Sequence, residues 1–290
     1  IGQFQSHLWE QIELPVYLLR KNNPLLISFS GLGPVFYKRH ISTIHDLAFY
    51  RNSEWFSFYY RTFYKIMTPI LVRYVNKIIT VSEFSKSEII NILRVPKEKI
   101  TVVYNAVSFP STSEVSKDKE NYILAVSSID PRKNFLALIK AFNSMNQPEY
   151  QLYIVGKKDR VFKDNDLGDF CSRNNIKFLG YISDKDLISY YKKASLFVYP
   201  SLYEGFGIPP IEAMSCGCPV LVSDIPVIRE VCGDAAFYCN PYDYADIAAK
   251  MKQILSDKKN VINKINKGFE QIKQYNWEKS AQKVLALIKE

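Results

Sequence analysis

Two carboxylates set among glycines and prolines offer the clearest chemistry in this sequence. They are Glu204 and Glu212, in the segment Ser201-Leu-Tyr-Glu-Gly-Phe-Gly-Ile-Pro-Pro-Ile-Glu-Ala-Met214. An apolar run, Leu196-Phe-Val-Tyr199, precedes the segment and is closed by Pro200, the pattern of a buried strand. Gly205 and Gly207 supply positions where the backbone can take unusual dihedrals and come close to a ligand. Pro209 and Pro210 preset a helix start that Ile211-Glu-Ala-Met214 continues, which places Glu212 in the first helical turn. Strand, glycine-bearing loop and helix N-terminus together suit an anion. Singly, each carboxylate is equally well explained as a loop or helix-dipole residue. The combination points to a binding site.

Cations stand upstream in a comparable place. Tyr122-Ile-Leu-Ala-Val126 reads as a strand and ends in Ser127-Ser-Ile-Asp-Pro-Arg-Lys-Asn134, ahead of a helical pattern from Asn134 to Met145. Arg132 can grip a phosphate with two N–H groups, and Lys133 adds a point charge, at a helix start whose amides already favour anions. A solvated turn explains the two cations equally well in isolation. After another strand, Gly180 permits a turn, and the amides of Tyr181 and Ile182 are free to read the edge of a base; Ser183 reads as an ordinary helix cap. Two further groups carry little. Asp164-Asn-Asp166 has the spacing of a metal-binding Asp-x-Asp but lies in a charged segment that reads as a solvated loop. Cys216-Gly-Cys218 lacks a second pair of ligands. No metal is expected.

These residues need a parallel sheet to hold them. Leu25–Phe29, His40–Ile44, Asn76–Val81 and Lys99–Tyr104 read as four strands of a first region, with a capped helix from Ser82 stopped by Pro96. Residues 109–121 turn polar, rich in Pro, Ser and charge, and mark the domain boundary. Six strands follow: Tyr122–Val126, Tyr150–Val155, Ile176–Leu179, Leu196–Tyr199, Val220–Val222 and Ala235–Tyr238, alternating with helical patterns such as Asp184–Lys193. Closing helices fill Tyr242–Glu290. The expectation is an α/β fold of two parallel-sheet domains, 1–112 and 113–274, with a C-terminal helix, 275–290. Ligands of such sheets bind beyond the strands' C-terminal ends.

Composition bounds the rest. The 290 residues, 47% of them hydrophobic, suffice for two cores, and no apolar run is long enough to span a membrane. Five cysteines, odd in number, read as reduced thiols of a cytosolic protein. The net charge of +9 is uneven: residues 1–112 hold 13 Lys/Arg against 7 Asp/Glu. A basic first third suits an acidic partner, or is simply a solvated face. Within it, Leu47–Tyr64 carries nine aromatics with Arg51 and Arg61, and Lys65 follows. These read either as core packing or as docking on an anionic membrane surface. No nucleic-acid motif accompanies the basic residues, so nucleic-acid binding is a weak alternative.

Taken in order, Asp130-Pro-Arg-Lys-Asn134, Gly180-Tyr-Ile-Ser183 and Glu204-Gly-Phe-Gly-x-x-x-x-Glu212, with His45-Asp46 after the second strand, resemble the retaining glycosyltransferases of family four and their GT-B fold. The resemblance runs from about His40 to the C-terminal helix. It implies that both domains are Rossmann-like and that the C-terminal helix, 275–290, returns to the first. It also implies transfer of a sugar from a nucleotide-diphosphate donor to a glycan or lipid-linked acceptor, in bacterial surface polysaccharide synthesis, with no metal or other cofactor. Arg132 and Lys133 would neutralise the diphosphate, and Glu212 would accept the ribose hydroxyls. Glu204 would bind sugar hydroxyls, the amides of Gly205, Phe206 and Gly207 would meet sugar and phosphate, and His45 would contact the sugar near its reacting carbon. The implied place of action is cytoplasmic, at the inner face of the cell membrane. The family's opening strand, glycine-rich loop and helix are not found before Trp9, and Ser30-Gly-Leu-Gly33 stands at the wrong point in the order. Earlier residues are therefore missing or those units are absent, and a catalytically weak sugar-nucleotide-binding module is the runner-up.

Overall fold

The computed structural model describes residues 6–109, 118–157 and 175–289. Two compact units emerge: Ile1–Tyr104 with Ser280–Glu290, and Asn105–Lys279. The sequence boundary falls later than this division for a local reason. Val107 N–H donates to the Tyr275 carbonyl and the Trp277 indole donates to Ser108, which ties residues 105–109 to the second unit. The same bonds keep 275–279 there. The last helix, Trp277–Lys289, joins the first unit only from Ser280, whose hydroxyl donates to the Tyr104 carbonyl.

In the first unit β1 (Leu26–Ser28), β2 (His40–Thr43), β3 (Lys77–Thr80) and β4 (Ile100–Val102) form a parallel sheet in that order. One face packs on the long Phe58–Tyr74 helix through Leu71, Val72 and Ile78; the other receives Val284 and Leu287 of the last helix. Ser82 caps the Glu83–Leu93 helix as its sequence predicts, accepting from Ser85 N–H. That helix ends at Arg94, whose φ of 56° is left-handed, rather than at Pro96.

In the second unit β5 (Glu120–Val126), β6 (Gln151–Val155), β7 (Ile176–Gly180), β8 (Ala194–Tyr199), β9 (Val220–Ser223) and β10 (Phe237–Cys239) lie in the order β10-β9-β8-β5-β6-β7, all parallel. The chain runs outward from β5 to β7, returns to β8 beside β5, and runs outward the other way. The strand order therefore reverses between β5 and β8, and a parallel sheet binds ligands at such a switch point. Both β5 and β8 are nearly continuous apolar runs because helices cover both faces of the sheet. One face packs on Phe135–Met145 and Tyr244–Ser256 through Leu138, Phe142, Ile247 and Met251, all buried. All ten expected strands form, and β10 begins two residues late because Gly233–Ala235 coils as a 3-10 turn. The Asp164–Asp166 pair and Cys171 fall outside the described residues; Cys216, Cys218, Cys232 and Cys239 are free thiols and buried.

Candidate functional site

The loops that leave β5 and β8 carry the expected cations and the first expected carboxylate, one on each side of the switch point. After β5, Asp130 builds the turn: its carboxylate accepts from Ser128 Oγ at 2.8 Å and from Arg132 N–H at 3.0 Å. Pro131–Lys133 then forms one 3-10 turn, and Asn134 (φ 59°, left-handed) redirects the chain into the Phe135–Met145 helix. The Asn134 side chain donates to the carbonyls of Pro200, 3.1 Å, and Pro241, 2.7 Å. Leu202 N–H donates to the Arg132 carbonyl at 2.8 Å, so the two loops are fixed to each other through backbone.

Lys133 is not the solvated turn residue its sequence neighbourhood suggests. It is 7% exposed, and its ammonium donates to Glu204 Oε1 at 2.6 Å and to the Tyr199 hydroxyl at 3.0 Å. Tyr199, the last residue of β8, donates in turn to Glu204 Oε1 at 2.7 Å. Glu204 is 6% exposed and Tyr199 3%. Burial pushes the Glu204 carboxyl upward, but Lys133, Arg132 and the Tyr199 hydroxyl together outweigh it and hold the group below its ordinary value. Burial, then the neighbouring carboxylate, pushes the Tyr199 phenol well up, so it remains a protonated donor. Lys133 and Glu204 thus form one buried ion pair that their spacing in the sequence did not show, with Arg132 beside them at lesser burial.

The helix that follows starts where the backbone turns most sharply. Gly207 has φ +99°, a conformation that strains any other residue, and a Cβ there would also sit 2.7 Å from Ile228 Cδ1 and push that methyl aside. Gly205, Phe206 and Gly207 are all buried, and the Phe206 ring packs edge-on against Tyr275 at 5.4 Å. In the Ile208–Ser215 helix, Glu212 stands one turn inside the N-terminus rather than in the first turn, which removes the helix-dipole explanation for it. Its Oε2 accepts from the fully buried Tyr191 hydroxyl at 3.1 Å. Burial raises the Glu212 carboxyl, the Tyr191 bond only partly offsets this, and Asp184 adds to the rise.

The remaining expected residues occupy separate places. Gly180 ends β7 with φ +66° and accepts from Gly156 N–H; Tyr181 beyond it is 86% exposed, and Ser183 caps the Asp184–Lys193 helix. In the first unit His45 lies just beyond β2, exposed, with Nε2 2.9 Å from the Phe29 carbonyl. The aromatic stretch divides. Phe49 is core, Tyr50, Phe56, Phe63 and Tyr64 pack against that core, and Phe58, Tyr59 and Tyr60 face solvent at 63%, 84% and 43%. Arg51, one of the basic residues of this stretch, forms a two-bond ion pair with buried Glu88 at 2.6 and 2.7 Å while its own side chain stays half exposed. Sequence reasoning missed the two tyrosine hydroxyls, Tyr199 and Tyr191. Tyr199 ends an apolar strand and Tyr191 lies in a mostly polar helix, and neither pattern says anything of a buried polar tip. Among the described residues no cluster of three or more His, Cys, Asp or Glu could hold a metal ion.

A doubly wound sheet with cations and carboxylates gathered at its switch point, in a chain that also carries a smaller parallel sheet, is the make-up of two-domain enzymes of the GT-B type. Comparison with known proteins narrows this. Residues 110–271, more than half of the chain, match the family of glycosyl transferases group 1, and residues 9–109 match glycosyltransferase family 4. O-antigen chain mannosyltransferase B of Escherichia coli is 32% identical over 280 residues, covering 85% of this chain and 70% of that protein. O-antigen chain mannosyltransferase RfbU of Salmonella typhimurium is 35% identical over 213 residues, 73% of this chain and 60% of that one. Among solved structures, HepE of Anabaena in complex with UDP and glucose superposes with TM-score 0.78 at 20% identity, over 98% of this chain and 83% of that one. WaaG, a glycosyltransferase involved in lipopolysaccharide biosynthesis, gives 0.75 at 14%, over 99% and 85%. The chain belongs to the group 1 glycosyltransferases, family 4, and has their GT-B fold.

Proposed function

We propose that the chain transfers a sugar, with retention of anomeric configuration, from a nucleotide-diphosphate sugar to a hydroxyl of a glycan or lipid-linked acceptor, in bacterial surface polysaccharide synthesis. The observation that carries the reading is the Arg132, Lys133, Glu204 and Tyr199 group at the switch point of the second sheet. The named activities of its relatives, O-antigen mannosyltransferases, favour the pathway, and the UDP and glucose complex of HepE favours the donor class. Arg132 and Lys133 offset the charge that develops on the departing diphosphate, the largest electrostatic task of the reaction, with no metal required. Glu212, one carboxylate oxygen fixed by Tyr191, accepts the ribose hydroxyls. The amides of Gly205, Phe206 and Gly207 approach sugar and phosphate, and those of Tyr181 and Ile182 the base. His45 enters through its motif after β2.

Glu204 positions the sugar rather than attacking it. A retaining hydrolase places its nucleophile and its acid about 5–5.5 Å apart and needs both free. Here Glu204 Oε1 already accepts from an ammonium and a phenol, and its carboxyl is held below its usual range, which weakens it as a nucleophile. The acceptor oxygen then attacks the anomeric carbon on the face the donor leaves. The bond from that carbon to the β-phosphate oxygen breaks, and the acceptor proton passes to that phosphate. A glycosyl-Glu204 adduct trapped in quenched turnover would overturn this scheme.

The exposed Phe58, Tyr59 and Tyr60, with Arg61 and Lys65, serve the same proposal as a contact with anionic headgroups at the inner membrane face, where a lipid-linked acceptor lies. No helix among the described residues is long and apolar enough to cross a membrane. A thermal-shift panel of UDP-, GDP-, dTDP- and CMP-sugars tests the donor reading. A ligand at a hundred times its dissociation constant stabilises by about 2.7 kcal/mol. One member of the panel should raise the melting temperature; no response from any of them would remove the donor site.

A further inference from the structure

Proton inventory decides how the buried group at the switch point must be wired. An ammonium only donates and an ionised carboxylate only accepts. The Tyr199 hydroxyl therefore accepts from Lys133 Nζ at 3.0 Å and gives its single proton to Glu204 at 2.7 Å. Lys133 donates to the same carboxylate oxygen at 2.6 Å. Among the described residues, every recorded hydrogen bond to Glu204 lands on Oε1. The three side chains close a ring in which each member contacts both others, and all are at least nine-tenths buried. Phe197, stacked on the Tyr199 ring at 6.1 Å, and the β8 backbone fix the phenol in turn.

We propose that Tyr199 is a positioning residue for sugar transfer: with Lys133 it commits Oε1 of Glu204 and leaves Oε2 to receive a hydroxyl of the donor sugar. This rests on the reading of Glu204 as the sugar contact given above. A carboxylate held by Lys133 alone can turn about its last bond and offer either oxygen to the ammonium. The second bond, from a phenol fixed in the sheet, removes that freedom. Discrimination among sugar hydroxyls needs such a fixed acceptor, because a misplaced acceptor tolerates an epimer that a fixed one rejects. The same wiring explains why Lys133 can neutralise Glu204 and still face phosphate: its ammonium has three protons, and the ring uses two of them.

The test uses Tyr199→Phe, which removes one oxygen from a buried ring and leaves the Lys133–Glu204 pair in place, and compares it with Tyr191→Phe, which removes the matching oxygen beside Glu212. Titrations with UDP and UDP-glucose, and with GDP and GDP-mannose, identify the donor of the wild type and its bare diphosphate. In Tyr199→Phe the bare diphosphate should bind as in the wild type. Affinity for the intact donor and kcat/KM should fall about 10-fold, as expected for losing a hydrogen bond to a charged group. The acid limb of kcat/KM should move to higher pH, because the lost hydrogen bond favoured the ionised carboxylate. Tyr191→Phe should weaken diphosphate and donor together. A wild type that binds none of the four ligands defeats the donor reading itself. A wild type that binds, with Tyr199→Phe unchanged in donor affinity and in pH profile, defeats only the role of Tyr199. Equal weakening of diphosphate and donor in Tyr199→Phe also defeats it, since that outcome marks a general structural loss, and a thermal melt of each variant records its extent.

Discussion

Glu204 and Glu212 each accept a hydrogen bond from a buried tyrosine in the same unit, yet their carboxyls shift in opposite directions. The difference lies in the cations. Glu204 has Lys133 at 2.6 Å and Arg132 nearby, enough to outweigh its burial. Among the described residues Glu212 has the Tyr191 hydroxyl and, beyond it, the like charge of Asp184. A neutral donor trims the cost of burying a carboxylate; a paired charge reverses it. The functional corollary follows from the same contrast. Glu204 is ionised and fixed before a ligand arrives. Glu212 keeps part of its hydrogen-bonding demand for a partner to satisfy, and a pair of ribose hydroxyls is such a partner.

The sharpest way to break this comparison is to remove the cation. Lys133→Met should leave Glu204 buried without its countercharge and destabilise the fold by about 3–5 kcal/mol, the usual cost of breaking a buried pair from one side. Glu212→Gln should stay within about 1 kcal/mol of the wild type, since no ion pair is lost. Urea denaturation of both variants measures the difference, and equal losses would erase the distinction between the two sites. Ligand binding should fall in both, since the proposed roles put Lys133 on the diphosphate and Glu212 on the ribose. Glu212→Gln should weaken the bare nucleoside diphosphate about 10-fold by calorimetric titration, because one ribose acceptor becomes a donor.

Acid titration separates the two carboxylates by sign. Glu204 lies below its ordinary value of 4.5, so its contribution to stability is present above that pH and is lost as pH falls through the lowered value. Glu212 lies above 4.5, so its contribution is present below that pH and is lost as pH rises through the raised value. Glu204→Gln should therefore flatten the acid-side fall in urea midpoint, and Glu212→Gln should steepen it. Nucleotide affinity should also weaken as pH falls toward the raised Glu212 value, since a protonated carboxyl has lost an acceptor. The smallest effect is expected outside this unit. Phe58→Ser with Tyr59→Ser should change stability by no more than about 0.5 kcal/mol, because both side chains already face solvent. Binding to vesicles rich in anionic lipid should drop in a flotation assay; unchanged flotation would remove the membrane contact.

Much of this arrangement could be read from spacing alone. Strand–helix alternation placed Arg132, Lys133 and Glu204 at strand ends, and a parallel sheet brings its strand ends to one edge whatever the order of strands. What spacing could not show was pairing across the switch point. Lys133 and Glu204 lie 71 residues apart, and nothing in either neighbourhood names the other. Arg51 and Glu88 meet over 37 residues for the same reason, an exposed guanidinium tied to a buried carboxylate. Tyr199 escaped because an aromatic at the end of an apolar run looks like core, and Tyr191 because it is one aromatic in a mostly polar helix; each is core except for one oxygen. The aromatic stretch from Phe49 to Tyr64 is divided, core and core-packed residues on one hand and exposed Phe58–Tyr60 on the other, and composition cannot draw that line.

The central claim is that Glu204 holds the donor sugar within a pre-formed group at the switch point. Donor turnover, read as release of nucleoside diphosphate, tests it most directly in Glu204→Gln, which keeps the side chain's shape and a carbonyl acceptor for Lys133. This variant should bind the bare diphosphate of its donor as the wild type does and lose turnover by at least about 100-fold, the scale of removing one positioned polar group from an active site. Turnover within a few-fold of the wild type, with the diphosphate still bound, would contradict it.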